Sequence, residues 1–353
     1  MRQSAQVTTV RRSSHKLANR EKHLVNLFAR IMLSALVLSA VLGLFAASAH
    51  AADSVRLAIQ KTGTVAWELD VIRAHGLDKQ AGIDIVTLEL AAPEAGKIAL
   101  RGGSADIIVS DWLWVSRERH LGANLVFSPY SSAVGAVMVA ASSPVRSLAD
   151  LKGKSLAVAG GPLDKSWLLL QGATRQDGID IKAQARVNYG APALLAEKAL
   201  QGEFDATLNY WNFCAALEAK GMRRLASIAD ILPRLGAKGS VAMIGYVFDA
   251  AWAAKNRGAV DRFLDVTRRA KEILASSDAE WQRIAPLIGT ADAATLRIYR
   301  DRYREGIPRR PIAEEEEDAR GLYRVLARIG GAELVGPADE LAAGTYDLPP
   351  ARP

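Results

Sequence analysis

Cysteine and histidine are scarce in this 353-residue chain, and each scarcity excludes a class of chemistry. The single cysteine, Cys214, rules out an intramolecular disulfide, and we interpret it as a small buried residue rather than a reactive thiol. Only His75 and His120 follow residue 51. No His/Cys/Asp spacing is typical of a metal centre, and the sequence contains neither a G-x-S-x-G elbow nor a P-loop. We therefore predict a protein that is not an enzyme, without catalytic residues, metal or cofactor.

An excess of charge of one sign is also absent once the N-terminus is set apart. The net charge of +7 comes from 45 Lys and Arg against 38 Asp and Glu. Residues 1–51 hold seven of the basic residues and one acidic residue, which leaves 38 and 37 for the rest of the chain. This near balance gives no electrostatic reason to expect nucleic acid or an anionic membrane as a partner.

The N-terminus has the composition of an export signal. The apolar run from Ile31 to Phe45 is shorter than the roughly 20 residues that a membrane span needs, and several Lys and Arg precede it. The small residues of A-H-A at positions 49–51 suit a cleavage site. We predict that residues 1–51 are an export signal cleaved near Ala51/Ala52, which makes the mature protein periplasmic. An uncleaved anchor is the alternative.

Two parts of the chain share a pattern in which an apolar strand leads through a polar turn to tryptophan. Residues 58–67 and 157–167 both run through a glycine-containing turn to Trp67 and Trp167. Downstream, residues 97–112 and 198–211 repeat a Lys…Ala-Leu…Gly…Asp pattern, an apolar run and a tryptophan. Because ligands bind at the carboxyl ends of strands in open α/β sheets, the repeat predicts a two-lobed clamp on a small molecule.

Strands and helices alternate up to residue 220, which favours parallel βαβ units, and the region beyond residue 249 is predicted to be helical. We interpret the acid run Glu314–Asp318 as stabilising the positive end of the last helix, and we predict that the tail after Gly330 is loosely packed. The predicted strands are 55–59, 83–90, 107–110, 125–127, 134–141, 155–159, 185–187, 206–208 and 241–248. The predicted helices are 65–75, 95–101, 112–120, 165–176, 192–201, 211–220, 260–275, 278–288, 293–305 and 314–329.

The phrase SLADLKGKSLAVAGG, at Ser147–Gly161, resembles the start of the second lobe in solute-binding proteins of ABC importers, in the nitrate/taurine/aliphatic-sulfonate group. The resemblance extends in order over nearly the whole chain after the leader. It implies an α/β fold of the type 2 periplasmic-binding kind, two-lobed, with two crossover strands and a helical C-terminal third. The divisions are then 1–51 (export signal), 52–133 (lobe I, first part), 134–141 (crossover), 142–240 (lobe II), 241–248 (return crossover), 249–330 (lobe I, second part) and 331–353 (tail).

Candidate ligand-binding residues come from the turns that follow the predicted strands. Indole rings there can sandwich a flat or apolar ligand or hold a cation, and they can equally seal the packing at a helix start. Hydroxyls and backbone N–H groups at helix N-termini suit a carboxylate, sulfonate or nitrate, although each hydroxyl can instead be a cap. The predicted set is Thr62, Gly63, Thr64, Trp67, Ser110, Asp111, Trp112, Ser131, Ser132, Gly161, Ser166, Trp167, Asn209 and Trp211.

Asp111 and Asp164 leave the charge of the ligand open. Either can be a helix N-cap, whereas a carboxylate that faces the cleft favours an ammonium or another N–H donor. Lys61 and Lys165 can counter a negative ligand. An amphoteric ligand such as an amino-sulfonate satisfies both interpretations.

These patterns and the resemblance predict an exported, monomeric substrate-binding subunit of an ABC importer. It would capture a small organic solute between its lobes and deliver it to a membrane permease. Two alternatives stay open: a periplasmic accessory protein that binds a partner enzyme, and an enzyme on the same fold that is similar to the thiamine-pyrimidine synthases.

Overall fold

The computed structural model describes residues 52–60, 63–90 and 93–348 of the chain. From Ala52 onward the chain forms one compact unit. The predicted export signal, residues 1–51, lies outside the described residues, so its cleavage stays a prediction. Within the described ranges, no helix combines the length and the apolar character needed to cross a bilayer.

The strands are β1 (Asp53–Gln60), β2 (Ile83–Leu90), β3 (Ile107–Asp111), β4 (Leu125–Ser131), β5 (Gly135–Val139), β6 (Ser155–Ala159), β7 (Arg186–Gly190), β8 (Ala206–Tyr210), β9 (Arg223–Ser227) and β10 (Ile244–Asp249). The α-helices are α1 (Val65–Ala74), α2 (Leu77–Ala81), α3 (Pro93–Arg101), α4 (Trp112–His120), α5 (Lys165–Gln176), α6 (Ile181–Gln184), α7 (Pro192–Leu200), α8 (Trp211–Ala219), α9 (Ile228–Ile231), α10 (Ala250–Lys255), α11 (Arg257–Ser276), α12 (Asp278–Ile288), α13 (Ala293–Glu305) and α14 (Ile312–Val335). Short 3₁₀ turns lie at Leu148–Leu151 and Leu232–Leu235.

The strands form two five-stranded sheets of the same topology. The first sheet has the order β2-β1-β3-β10-β4 and the second has the order β7-β6-β8-β5-β9. Three neighbouring strands of each sheet are parallel, and one antiparallel strand, β10 or β5, separates them from the edge strand. The predicted α/β class is confirmed, and the sequence repeat corresponds to these two matching sheets.

The antiparallel strand of each sheet enters from the other sheet. β5 follows β4 of the first sheet after three residues and lies between β8 and β9 of the second. β10 follows the second sheet and lies between β3 and β4 of the first. The predicted crossover strands at 134–141 and 241–248 therefore correspond to β5 and β10. Each of them pairs within one sheet after the chain has left the other. The limits of the two lobes stay a prediction.

An apolar core joins the two sheets through the last helix. The core includes Ile108 of the first sheet, Leu156 and Leu208 of the second, and Tyr323 of α14. A second cluster fills the space between the first sheet and helices α1, α11 and α12. α14 is broken at Gly331, whose φ of 63° and ψ of −167° suit glycine alone. The last helix thus packs against both halves of the molecule.

Two residues of the acid run hold the segment that leads into β10, a role that the charge pattern did not predict. Asp318 accepts a hydrogen bond from the Lys238 amide at 2.9 Å, and Glu315 accepts one from the Ala242 amide at 3.0 Å. Both carboxylates are buried, with Glu315 1% and Asp318 4% exposed. Their contacts are with a neighbouring segment of backbone, which helix-dipole reasoning from the sequence does not reveal.

The prediction of a loosely packed tail is wrong for residues 336–348. Phe127 of β4 donates its amide to the Thr345 carbonyl at 2.7 Å and accepts the Asp347 amide at 2.8 Å. Thr345 is fully buried and Tyr346 is 3% exposed. The tail adds backbone pairing at the outer edge of β4, and a composition rich in glycine and alanine gives no sign of such pairing.

Candidate functional site

A cavity of about 400 Å³ lies between the two sheets, where β1, β3 and β8 end. Its wall includes residues of both sheets and of both connecting segments, at 133–134 and 243. This is the position at which open α/β sheets bind ligands. Of the residues predicted from the sequence, the cavity is lined by Thr64, Ser110, Asp111, Ser131, Ser166 and Trp211.

An ion pair at the cavity joins the two sheets. Lys165, at the start of α5, places its Nζ 2.8 Å from Oδ2 of Asp111, at the end of β3. Burial alone would raise the pKa of Asp111, but Lys165 and the Trp114 amide outweigh it and hold that pKa below its usual value. Asp111 in turn raises the pKa of Lys165, against the effect of burial. Both groups are therefore charged at neutral pH.

Asp111 and Asp164 each cap a helix that begins at the cavity. Oδ1 of Asp111 accepts the Trp114 amide of α4 at 2.9 Å, and Oδ1 of Asp164 accepts the Trp167 amide of α5 at 3.3 Å. Both aspartates also line the cavity. Each of the two side chains therefore caps a helix and also lines the cavity.

Asp164 and Tyr210 form the second polar group of the wall. Burial raises the pKa of Asp164, and the neighbouring Lys165 and helix amides offset this only in part. Burial and the nearby Asp164 carboxylate raise the pKa of Tyr210 to about 12. Gly160 allows this approach, because a Cβ there would lie 2.9 Å from Oη of Tyr210 and 3.2 Å from Oδ2 of Asp164. Its φ of 86° also favours glycine.

Hydroxyl groups complete the polar lining. Oγ1 of Thr64 lies 3.2 Å from Oη of Tyr130, and Oγ of Ser131 accepts a backbone amide at 3.2 Å. Ser110 is 8% exposed and Ser166 is 3% exposed. Neither of these two hydroxyls has a hydrogen-bond partner among the residues that the structure describes, so both are available to a ligand.

Trp67 and Trp211 meet beside the cavity. Their rings are in edge-to-face contact, with centroids 5.9 Å apart, and Trp281 lies 6.0 Å from Trp67. Trp211 lines the cavity, whereas Trp67 is 8% exposed and supports it from behind. Beyond the rings, Arg302 of α13 donates to both carboxylate oxygens of Glu218 of α8, at 2.9 and 2.5 Å. This ion pair joins α8, which follows a strand of the second sheet, to the C-terminal helix α13.

Trp112 and Trp167 lie in the apolar core rather than on the cavity wall. Both are fully buried. Trp112 packs against Tyr323 of α14, with centroids 6.3 Å apart, and Trp167 packs against Tyr189 at 6.4 Å. Of the four tryptophans in the predicted set, Trp211 alone is part of the cavity wall. The capping aspartates occupy the side of each helix start that faces the cavity, and the indoles turn inward.

Asn209 and Ser132 have structural contacts instead of a place on the wall. The Asn209 side chain donates to the Pro192 carbonyl at 2.9 Å and accepts the Tyr210 amide at 2.8 Å. The Ser132 amide donates to the Gly306 carbonyl at 2.9 Å. Asn209 is 1% exposed, so its amide is satisfied within the protein.

Of the remaining predicted residues, Gly63 and Gly161 lie in the turns before α1 and α5 but are not part of the cavity wall. Thr62 lies outside the described residues, as does the candidate counter-charge Lys61. For both of these, the roles inferred from the sequence stay predictions.

Glu94, Lys97, Tyr130 and Tyr210 line the cavity and were missed by sequence reasoning. Nζ of Lys97 lies 2.9 Å from Oε1 of Glu94. The two tyrosines lie next to predicted site residues at the ends of strands, so the same sequence reasoning could have identified them. For Lys97, the only signal in the sequence was its place in the internal repeat.

A buried polar cluster supports Tyr130 from behind. Nζ of Lys271 lies 2.5 Å from Oε2 of Glu68 and 4.2 Å from the centroid of the Tyr130 ring. The Tyr303 hydroxyl donates to the other oxygen of Glu68. Burial lowers the pKa of Lys271, although Glu68 opposes this. The cluster fixes one face of the ring whose hydroxyl meets Thr64.

The cysteine and the two histidines of the described residues lie outside the cavity wall. Cys214 is fully buried, and burial raises its pKa to about 12. Nε2 of His75 lies 3.2 Å from Glu280, and Nε2 of His120 lies 2.8 Å from the Glu340 carbonyl. Within the described ranges, no group of three or more His, Cys, Asp and Glu is arranged to hold a metal ion.

Comparison with known proteins gives a family and a set of similar folds. The sequence profile of the NMT1/THI5-like family matches residues 71–280, which is more than half of the chain. No curated protein has significant sequence similarity to the chain.

Several solved structures share the fold. The alkanesulfonate-binding protein SsuA from Xanthomonas axonopodis pv. citri, bound to MOPS, is 20% identical, with 83% of this chain and 97% of that chain covered and a TM-score of 0.62. The periplasmic aliphatic sulphonate binding protein SsuA from Escherichia coli is 22% identical, with 84% and 92% covered and a TM-score of 0.68. The desulfurization enzyme DSZB is 14% identical, with 79% and 92% covered and a TM-score of 0.52. At these identities the likeness shows the fold, which is the predicted periplasmic-binding-protein fold.

Proposed function

Because the chain belongs to the NMT1/THI5-like family, we propose that it is the exported substrate-binding subunit of an ABC importer. It captures a small organic solute of the sulfonate, nitrate, taurine or amphoteric kind and delivers it to a membrane permease. The two SsuA structures, whose names describe sulfonate-binding proteins, support the proposal through the shared fold.

The observation that carries the proposal is the position of the cavity. Its wall is built from both sheets and from the two segments that connect them, at 133–134 and 243. A ligand held there contacts both halves, so it binds the closed arrangement more tightly than an open one and shifts the population towards closure. A closed, loaded form is the signal that a permease can recognise.

The contents of the cavity favour binding over catalysis. The chain's only cysteine and the two histidines beyond residue 51 lie outside its wall. The Cys214 thiol, with a pKa of about 12, has little thiolate at neutral pH. DSZB shares the fold at a TM-score of 0.52, which by itself carries no activity to this chain.

The proposal is tested by thermal shift and tryptophan fluorescence on the purified chain from residue 52 onward. The panel contains sulfonates, nitrate, amines, amino acids and pyrimidines. A ligand present at about a hundred times its Kd should stabilise the protein by roughly 2.7 kcal/mol. The fluorescence should change in the same titration, because Trp211 lines the cavity.

A pyrimidine that is chemically altered during the incubation would contradict the proposal in favour of an enzyme. If no solute of the panel changed either signal and the protein specifically captured a periplasmic enzyme, the result would contradict the proposal in favour of the accessory role.

A further inference from the structure

We propose that residues 302–318, from the last turn of α13 into the second turn of α14, form a clasp that sets the angle between the two halves of the molecule. Each half is built on one sheet. Two connecting segments join the halves, residues 132–134 between β4 and β5 and residues 236–243 before β10. The inference rests on the proposed solute-binding function for its consequence, which is that residues outside the cavity wall control the shape of the cavity.

The first connecting segment lies directly against Gly306, the residue that ends α13. The Gly306 carbonyl accepts the Ser132 amide at 2.9 Å. A Cβ at Gly306 would overlap Cβ of Ala133 and lie 2.9 Å from its backbone nitrogen. Gly306 has a φ of −88°, which any residue can adopt. The close approach of the first connecting segment, and not the backbone conformation, is therefore what excludes a side chain at this position.

The second connecting segment is bound by three side chains of the clasp. Asp318 and Glu315 of α14 accept backbone amides of this segment. Nη1 of Arg310 donates to the Ser240 carbonyl at 2.9 Å and to Asp318 at 2.7 Å. Gly239 leaves room for the guanidinium group, since a Cβ there would lie 2.8 Å from Nε of Arg310. The clasp thus binds the backbone of the second connecting segment as well.

The start of the clasp is fixed to both halves. The side chain of Tyr303 is part of the apolar cluster between the first sheet and its helices. On either side of it in the sequence, Arg302 donates to Glu218 of α8, and Glu305 lies 3.5 Å from Nη1 of Arg224 in β9. The last turn of α13 therefore has its apolar side in the first half and its charged side on the second.

The residues of the connecting segments that line the cavity are those whose backbone the clasp does not bind. A hinge is a short stretch of chain that absorbs a change in φ and ψ when two bodies rotate. At Ser132 and at residues 238–242 such a change would break hydrogen bonds with the clasp. Residues 133–134 and 243 are left to absorb it, and they are part of the cavity wall. The angle between the halves and the shape of the wall are therefore coupled.

The clasp is tested in the solute-free chain from residue 52 onward by double electron–electron resonance. Spin labels are placed at Lys79→Cys and Lys182→Cys, two exposed positions in opposite halves. Each precedes the start of an edge strand, β2 or β7, and so lies at the end of its sheet opposite to the cavity. Cys214 is fully buried, so we expect it to stay unlabelled.

Gly306→Ala is the decisive variant. The new Cβ and that of Ala133 must move apart until they are roughly 3.5–4.0 Å from each other. We therefore expect the mean distance between the labels to shift by about 2 Å or more. Replacing Ala133 by glycine in the same chain removes the overlapping Cβ and should restore part of the original distance.

Gly321→Ala is the matched control. Gly321 also lies in α14, beyond the clasp, and a Cβ there has no neighbour within 4 Å among the described residues. We expect its distance distribution to equal that of the wild type. Arg310→Met gives a second test that does not depend on Gly306→Ala folding, because it removes the contacts of Arg310 with Ser240 and Asp318. We expect a broader distance distribution in this variant.

Unchanged distances in Gly306→Ala and Arg310→Met, with circular dichroism showing folded protein, would overturn the clasp. An equal shift in Gly321→Ala would overturn it too. Since the measurement contains no solute, either result would leave the solute-binding function intact. Failure of the whole solute panel would instead overturn that function and leave the measured distances as evidence for the clasp.

Discussion

At the scale of single residues, each of the two aspartates of the cavity uses one oxygen to cap a helix and leaves the other for the site. Asp111 gives its second oxygen to Lys165, whereas Asp164 forms no ion pair within the described residues and lies beside the Tyr210 hydroxyl. The type of residue was enough to predict the cap. Whether the second oxygen faces a cation or a cavity depends on a residue more than fifty positions away in the sequence.

Loss of the Asp111–Lys165 pair should lower stability in a pH-dependent way. In Lys165→Met the buried Asp111 carboxylate loses its cation, so we expect the free energy of unfolding to fall by about 1–3 kcal/mol at pH 7. The measurement is urea unfolding of wild type and variant across the pH range.

The sign of the pH dependence follows from both pKa shifts. The Asp111 pKa is lowered on folding, so its contribution is present above about pH 4 and is lost as the pH falls through the folded-state pKa. The Lys165 pKa is raised, so its contribution is present below about pH 10.4 and is lost as the pH rises through the folded-state pKa. The difference between wild type and variant should therefore be widest between these limits.

Lys198→Met is the control, because Lys198 pairs with Glu203 on the surface and should contribute less than about 1 kcal/mol. Equal losses in the two variants would show that the cavity pair is no stronger than an exposed one.

At the scale of elements, four helices with polar N-caps were predicted with the bounds that the structure shows, whereas the short capped helices α6, α9 and α10 were not predicted. Asp111, Asp164, Ser277 and Asp292 each accept an amide in the first turn, and the four helices that follow them begin and end where the sequence predicts. β9 was missed because its RRLAS sequence has little apolar or β-branched character. Its pairing with β5 at the sheet edge comes from tertiary structure.

Removal of Asp318 should weaken the link between α14 and the segment that leads to β10. Its carboxylate accepts the amides of Lys238 and Gly239 and pairs with Arg310 at 2.7 Å. In Asp318→Ala the two amides and Arg310 lose their buried acceptor, so we expect the free energy of unfolding to fall by about 3 kcal/mol. Urea unfolding at neutral pH measures it.

Glu314→Ala tests whether position in the acid run is enough. Glu314 lies four residues earlier in the same helix and is 60% exposed in its side chain, so its loss should change stability by less than about 1 kcal/mol. If Glu314→Ala were as destabilising as Asp318→Ala, position near the helix start rather than the contacts of Asp318 would explain the loss of stability.

At the scale of the whole molecule, the two sheets share one core. Trp112 from the first half packs on Tyr323, and α14 also packs on α5 of the second half, where Gly172 leaves room for Val325. Neither half can lose its core side chains without exposing apolar surface of the other. The tail adds to this by pairing with β4.

We therefore expect the chain from residue 52 onward to unfold in a single transition despite its two sheets. Far-UV circular dichroism and tryptophan fluorescence should give the same urea midpoint, which is the test of two-state behaviour. Two separated midpoints would mean that the halves unfold independently and that α14 does not couple them.

The sequence by itself determined the α/β class, the internal repeat, four of the capped helices and the region of the chain from which the site is drawn. Local hydrogen bonding and the period of apolar residues settle these features within a few turns of chain. Only the tertiary structure decided which side of each strand end faces the cavity: Trp211 lines it, whereas Trp112 and Trp167 fill the core. The reason is that a side chain's environment depends on what packs against it, and here that is α14, far away in sequence.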